Sequence, residues 1–140
     1  ALTLNPNSAE THYQLATILV RRKQVGEGIE HFRDAIRLKP DWVEPLNNLA
    51  WILATHPSKA IRNGEAAVQL AQQATRLTRN NDPVVLDTSA AAWAEQGKYD
   101  EAAATARQAA ELAVAAGQSL VASQILARVE LYRSGRPYRN

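Results

Sequence analysis

The chain has 140 residues, of which 46% are hydrophobic and 21% are charged, so it suits one domain with a continuous core and is not disordered. Its net charge of +2 comes from 16 basic and 14 acidic residues, a balance too even to indicate nucleic-acid binding by itself. The absence of Cys excludes disulfides and thiolate metal sites. No apolar run approaches the roughly 18 residues of a membrane span. The sequence leaves the compartment unknown, although a soluble, cytoplasmic protein is favoured. The absence of Met, with Ala1 as the first residue, indicates an excised segment or a processed product.

A spacing of 34 residues recurs along the first half of the chain. It relates the following pairs: Pro6 and Pro40, Leu15 and Leu49, Ala16 and Ala50, Leu19 and Leu53. A third copy follows at a displacement of 40 residues, and the extra length is assigned to a surface loop at about 55–64. Repetition at such a period indicates stacked supersecondary units.

Each unit is predicted to contain two helices, because apolar residues return at helical spacing after a candidate N-cap. The candidate caps are Ser8, Asp41 and Asp82, and Gly97 suits a left-handed C-cap in the third unit. In chain order the predicted segments are the end of an upstream repeat at 1–8, repeats at 9–42, 43–82 and 83–117, a capping helix at 118–133 and a tail at 134–140.

These positions carry a family pattern. The first unit has Leu15-Ala16, Gly28, Phe32, Ala35 and Pro40, and the third has Ser89-Ala90, Trp93, Gly97, Tyr99, Ala102 and Ala109. In this respect the chain resembles the tetratricopeptide repeat, although His12 stands where the family often has Trp and Gly28 replaces the usual Ala. The resemblance implies an all-α, right-handed superhelix of about three helix-turn-helix repeats plus a C-terminal capping helix. The final part also resembles the C-terminal repeats of longer bacterial proteins, some of which carry a glycosyltransferase-like domain upstream.

The resemblance implies that the first helix of each pair lines a concave, ligand-binding face. The candidate contacts are the residues of those helices that lie off the core stripe: Tyr13, Gln14, Thr17, Arg21, Asn47, Asn48, Trp51, Thr55, Asp87, Thr88 and Glu95. Trp51 could belong to the core, but its helical offset from Leu49 and Leu53 favours the groove. Asn48 occupies a position at which the family commonly places a peptide-binding Asn, and a solvated polar residue is the alternative.

Other functions find less support in the residues. The family's basic clamp for chaperone tails is absent, since Tyr13, Thr17, Val84 and Thr88 occupy the matching positions. The three histidines, His12, His31 and His56, lack the four-residue spacing of a helical metal site, so no metal and no cofactor are expected.

Catalysis and nucleic-acid binding are also disfavoured. Ser89 has no neighbouring base, and no Gly-rich phosphate loop is present, so the segment is not expected to be an enzyme. The basic cluster Arg21-Arg22-Lys23 could contact nucleic acid, but the helical positions that would read bases vary from unit to unit.

The expected function is binding of a protein or peptide segment in the concave groove, in a scaffold or assembly role. The alternative is a structural spacer or self-association module that uses an open N-terminal edge at Leu2 and Leu4.

Overall fold

The computed structural model describes residues 8–140. These residues form seven helices and no strand: α1 Ala9–Arg21, α2 Val25–Leu38, α3 Val43–Thr55, α4 Gly64–Leu77, α5 Pro83–Glu95, α6 Tyr99–Ala115 and α7 Ser119–Arg133. The all-helical fold predicted from the sequence is confirmed. Most of the predicted upstream remnant, and the edge at Leu2 and Leu4, fall within residues 1–7 and lie outside the described residues.

Side-chain caps fix several helix starts. Ser8 Oγ accepts a hydrogen bond from the Thr11 amide at 3.3 Å, and Asp82 Oδ1 accepts one from the Val84 amide at 2.9 Å, as predicted. The predicted cap at Asp41 is wrong. The N-cap of α3 is Trp42, whose amide closes a turn onto the Lys39 carbonyl at 3.2 Å, so that Asp41 falls one residue outside the capping position.

The helices pack as consecutive pairs. α1 contacts α2, α3 contacts α4, α5 contacts α6, and α7 lies against α6. α3 also contacts α5, so the first helices of these two successive pairs lie side by side. This is the stacking of a helical solenoid, in which each unit buries its apolar face against a neighbour. No helix within residues 8–140 combines the length and the hydropathy that crossing a membrane requires.

The core changes in character along the stack. The cluster between α1 and α5 contains large side chains, among them Phe32, Leu49 and Leu53. In the cluster from α5 to α7, the buried side chains of α6 are all alanines, and three larger side chains of α7 close the cluster: Ile125, Val129 and Tyr132. The face of α7 that carries them thus covers the outer side of α6.

The loop between α3 and α4 is tied down at both ends. The Asn63 amide donates to the Leu53 carbonyl at 2.8 Å, while its side chain caps α4 by accepting from the Ala66 amide at 3.1 Å. Arg62 Nη1 donates to the carbonyls of His56 and Pro57, each at 2.9 Å. The residues between these anchors, 57–60, are exposed.

Candidate functional site

A groove with a volume of about 550 Å³ opens along the first helices of the three pairs and is bordered by α7. Its lining residues are Thr17, Val20, Arg21, Phe32, Asn47, Asn48, Trp51, Ile52, Val84, Asp87, Thr88, Gln124, Arg128 and Asn140. Helical spacing explains the contribution of each helix, because residues three or four apart share a face. The groove is therefore built from equivalent faces of α1, α3 and α5.

Most of the site residues predicted from the sequence meet in this groove. Those that line it are Thr17, Arg21, Asn47, Asn48, Trp51, Asp87 and Thr88. Tyr13 lies directly behind the lining: its hydroxyl accepts a hydrogen bond from Asn48 Nδ2 at 3.1 Å. Its ring packs against Phe32 and Trp42, with centroids 5.9 and 4.8 Å away.

Three predicted residues are placed elsewhere. Gln14 is exposed on α1 and does not line the groove. Thr55 is buried, and its hydroxyl donates to the Trp51 carbonyl at 2.7 Å, so this side chain braces the last turn of α3. Glu95 forms ion pairs with Arg62 at 3.2 Å and Arg139 at 2.8 Å.

A buried ion pair crosses one side of the groove. Arg128 of α7 donates two hydrogen bonds to Asp87 of α5, from Nε to Oδ1 at 3.0 Å and from Nη2 to Oδ2 at 2.7 Å. Burial raises the pKa of Asp87, and Arg128 opposes that rise. Burial would lower the pKa of Arg128, but the hydrogen bonds and charge of Asp87 more than offset it and raise that pKa. The pair fixes α7 against α5 with the directional geometry of a bidentate contact.

The tail returns to the groove and contacts Trp51. The Trp51 and Tyr138 rings lie 5.6 Å apart, and the Arg128 guanidinium carbon lies 5.6 Å from the first ring and 5.1 Å from the second. These distances suit cation–π contacts with both rings. The Asn140 amide donates to the Thr55 carbonyl at 2.8 Å. A non-helical segment of this chain thus occupies one end of the groove.

Comparison with known proteins identifies the first helix pair. Residues 9–41, which span α1, α2 and the turn that follows, match the family model of the tetratricopeptide repeat. The chain contains a tetratricopeptide repeat. Tetratricopeptide repeats generally mediate protein–protein interaction and are generally non-catalytic modules. No curated protein matches the chain.

The tetratricopeptide repeat supplies one wall of the groove through Thr17, Val20 and Arg21 of α1. Beyond the repeat, sequence reasoning missed Arg128 and Tyr138. One signal was available for Arg128, because it lies on the same stripe of α7 as Ile125 and Tyr132, where an apolar residue is expected. No pattern in the sequence places Tyr138 beside Trp51.

One polar atom of the groove has no assigned contact. Asn47 Oδ1 is buried and has no hydrogen-bond partner among the residues that the structure describes. Asn47 lines the groove on α3, one residue before Asn48. Leaving a buried acceptor without a partner is costly.

Proposed function

We propose that the groove binds an extended peptide segment of a partner protein, with Trp51 at the centre of the contact. The observation that carries this proposal is the position of residues 138–140 of the chain itself, which lie against Trp51 and the end of α3. A surface that accepts one extended segment has the shape and chemistry to accept another.

The contacts of the tail indicate what a partner would present. Tyr138 offers an aromatic ring to Trp51 and Arg128, Arg139 offers a cation to Glu95, and the Asn140 amide pairs with a main-chain carbonyl. Aromatic and Arg side chains are also the types that dominate binding energy at interfaces. We therefore expect the bound segment to carry an aromatic residue followed by a basic one.

Other residues of the groove also suit the binding of an extended peptide. Val84, which is 51% exposed, offers an apolar contact on α5. Asn48 already donates to Tyr13, so its remaining carbonyl oxygen is the group that we expect to meet a peptide backbone donor. An extended segment alternates side chains and backbone groups in the way that these contacts require.

The test uses the tail sequence as a ligand added in trans. The acceptor is the full chain carrying Tyr138→Ala, which removes the internal competitor's ring, and the probe is a fluorescent peptide Ser-Gly-Arg-Pro-Tyr-Arg-Asn. Fluorescence anisotropy should show saturable binding. Adding Trp51→Ala to the acceptor should weaken binding about 30-fold, which corresponds to about 2 kcal/mol.

Val114→Ala is the matched control, because Val114 is 62% exposed on α6 and does not line the groove. It should leave peptide binding unchanged. Equal binding by the Trp51→Ala acceptor, with its helical circular dichroism intact, would contradict the proposal. A melting temperature that collapses with Trp51→Ala would instead assign Trp51 to the core.

A further inference from the structure

Three metal-ligating side chains meet between α1 and α2, outside the groove. His12 Nδ1 lies 2.9 Å from His31 Nδ1 and 3.8 Å from Asp34 Oδ2. The two imidazole rings are stacked, with centroids 5.2 Å apart. One ligand atom from each of the three residues lies within 4.8 Å of the others. Two imidazole nitrogens and a carboxylate oxygen form a donor set that suits zinc and related divalent transition metals.

We propose that His12, His31 and Asp34 bind a zinc ion, with a water molecule as the fourth ligand. In a tetrahedral zinc site with bonds of about 2.0–2.2 Å, neighbouring ligand atoms lie about 3.3 Å apart. The two separations that involve His12, 2.9 and 3.8 Å, fall on either side of that value, each within about half an ångström, and the His31 and Asp34 ligand atoms lie within 4.8 Å of each other. Small side-chain rotations can therefore bring the three atoms onto one ion without moving either helix.

The surroundings are compatible with a half-open site. The side chain of His12 is 14% exposed and that of Asp34 is 42% exposed, which leaves room for water on one side. Arg37 Nη2 lies 3.7 Å from Asp34 Oδ1, so it approaches the carboxylate oxygen that does not face His12. That arrangement keeps Oδ2 directed toward the histidines.

The hydrogen bond between the two histidines can also be replaced by coordination of both nitrogens to a metal ion. At 2.9 Å, one Nδ1 must donate a proton to the other, since two bare lone pairs would repel. A zinc ion bound between them takes both lone pairs, and the ring that had donated from Nδ1 then carries its proton on Nε2, so that both imidazoles stay neutral. Zinc would thus join α1 to α2 within the tetratricopeptide repeat, independently of any ligand in the groove.

The test uses the intact chain, stripped of metal with a chelator and free of any histidine tag. Titration calorimetry with zinc chloride should give one equivalent bound, and cobalt(II) should give the visible absorption bands of a tetrahedral site. His31→Ala should weaken zinc binding at least 100-fold, and Asp34→Asn about 10-fold. Zinc should raise the melting temperature of the wild-type chain and not that of His31→Ala.

His56→Ala is the matched control, because His56 lies in the α3–α4 loop, where its Nδ1 accepts from the Ser58 amide. It should bind zinc as the wild-type chain does. Equal zinc affinity in the wild-type, His31→Ala and Asp34→Asn chains would overturn the proposal, as would a wild-type dissociation constant above about 1 mM. Circular dichroism of the two variants separates loss of the site from loss of the fold. Asp34→Asn is nearly isosteric, so it removes a ligand with little disturbance of the packing.

Discussion

The two halves of the molecule stabilise the same helical stack by different means. Between α1 and α4, large side chains such as Phe32 and Leu49 fill the core. Alanines form more than half of the buried cluster in both halves, but α6 buries only alanines, including Ala102, Ala106 and Ala109, so it buries less apolar area per residue than α2 does with Phe32. In that second half a bidentate ion pair, formed by Asp87 and Arg128, joins α5 to α7, whereas α1 and α3 of the first half are joined by a neutral hydrogen bond from Asn48 to Tyr13. Small side chains allow these helices to pack closely, and the bidentate ion pair then fixes the position of α7 relative to α5.

The largest effect is expected from removing one member of that ion pair. Arg128→Met should destabilise the chain by about 3–5 kcal/mol, because it leaves the buried Asp87 carboxylate without its partner. Chemical denaturation followed by circular dichroism measures the change. The control is Arg133→Met, since the Arg133 side chain is 61% exposed and its pair with Glu130 should contribute less than about 1 kcal/mol.

A double variant sharpens this prediction. If the pair mainly specifies geometry, Asp87→Leu combined with Arg128→Met should recover most of the lost stability, since no buried charge remains. A double variant as unstable as Arg128→Met alone would show that the loss comes from packing around the guanidinium rather than from the uncompensated carboxylate.

A smaller effect is expected in the core of the first half. Leu49 is 1% exposed, and Leu49→Ala should cost about 2–5 kcal/mol through lost burial and the cavity left behind. Ala106→Gly in the second half should cost only about 1 kcal/mol, mainly through backbone entropy. Denaturant midpoints for the two variants measure the contrast. Equal losses would contradict the expectation that the cost follows the volume of buried side chain that is removed.

The smallest effect concerns the close approach of α1 and α2. A Cβ on Gly28 would lie 2.9 Å from Val20 Cγ2 and 3.1 Å from the Ala16 carbonyl oxygen. Gly28→Ala would gain up to about 1 kcal/mol in helix propensity, but overpacking typically costs about 1–3 kcal/mol, so a small net loss is expected. Gly26→Ala on the same helix meets nothing within 4 Å and should be neutral or stabilising. Thermal melts of the two variants, compared side by side, give the sign.

The sequence predicted the helices and much of the groove for an identifiable reason. Periodicity shows which face of a helix is apolar, and the 34-residue spacing shows which helices are equivalent, so Asn48 and Trp51 could be assigned to one surface. Contacts between different helices could not be predicted from these local patterns. Asp87 and Arg128 are 41 residues apart, and they meet only because α5 and α7 both pack against α6 in the finished stack.

The same limit explains why the sequence did not predict the pairing of His12 with His31. His12 and His31 are 19 residues apart on separate helices, so a search for ligands four residues apart on one helix does not find them. The contact of Tyr138 with Trp51 likewise joins residues that are far apart in the sequence. Local rules also fail at chain turns, as the misplaced cap at Asp41 shows.

The anchored loop between α3 and α4 has a consequence for how such a chain changes during evolution. Its ends are held by the amide and side chain of Asn63 and by Arg62, whereas residues 57–60 are exposed between these anchors. Because both ends of the loop are anchored, residues can be added to or removed from that exposed stretch while the two helix ends stay in place. The free-energy cost of a longer loop is small, since the entropy of closing a loop changes slowly with its length. The same exposed stretch offers a place to attach a label or a new module while both helix ends stay anchored.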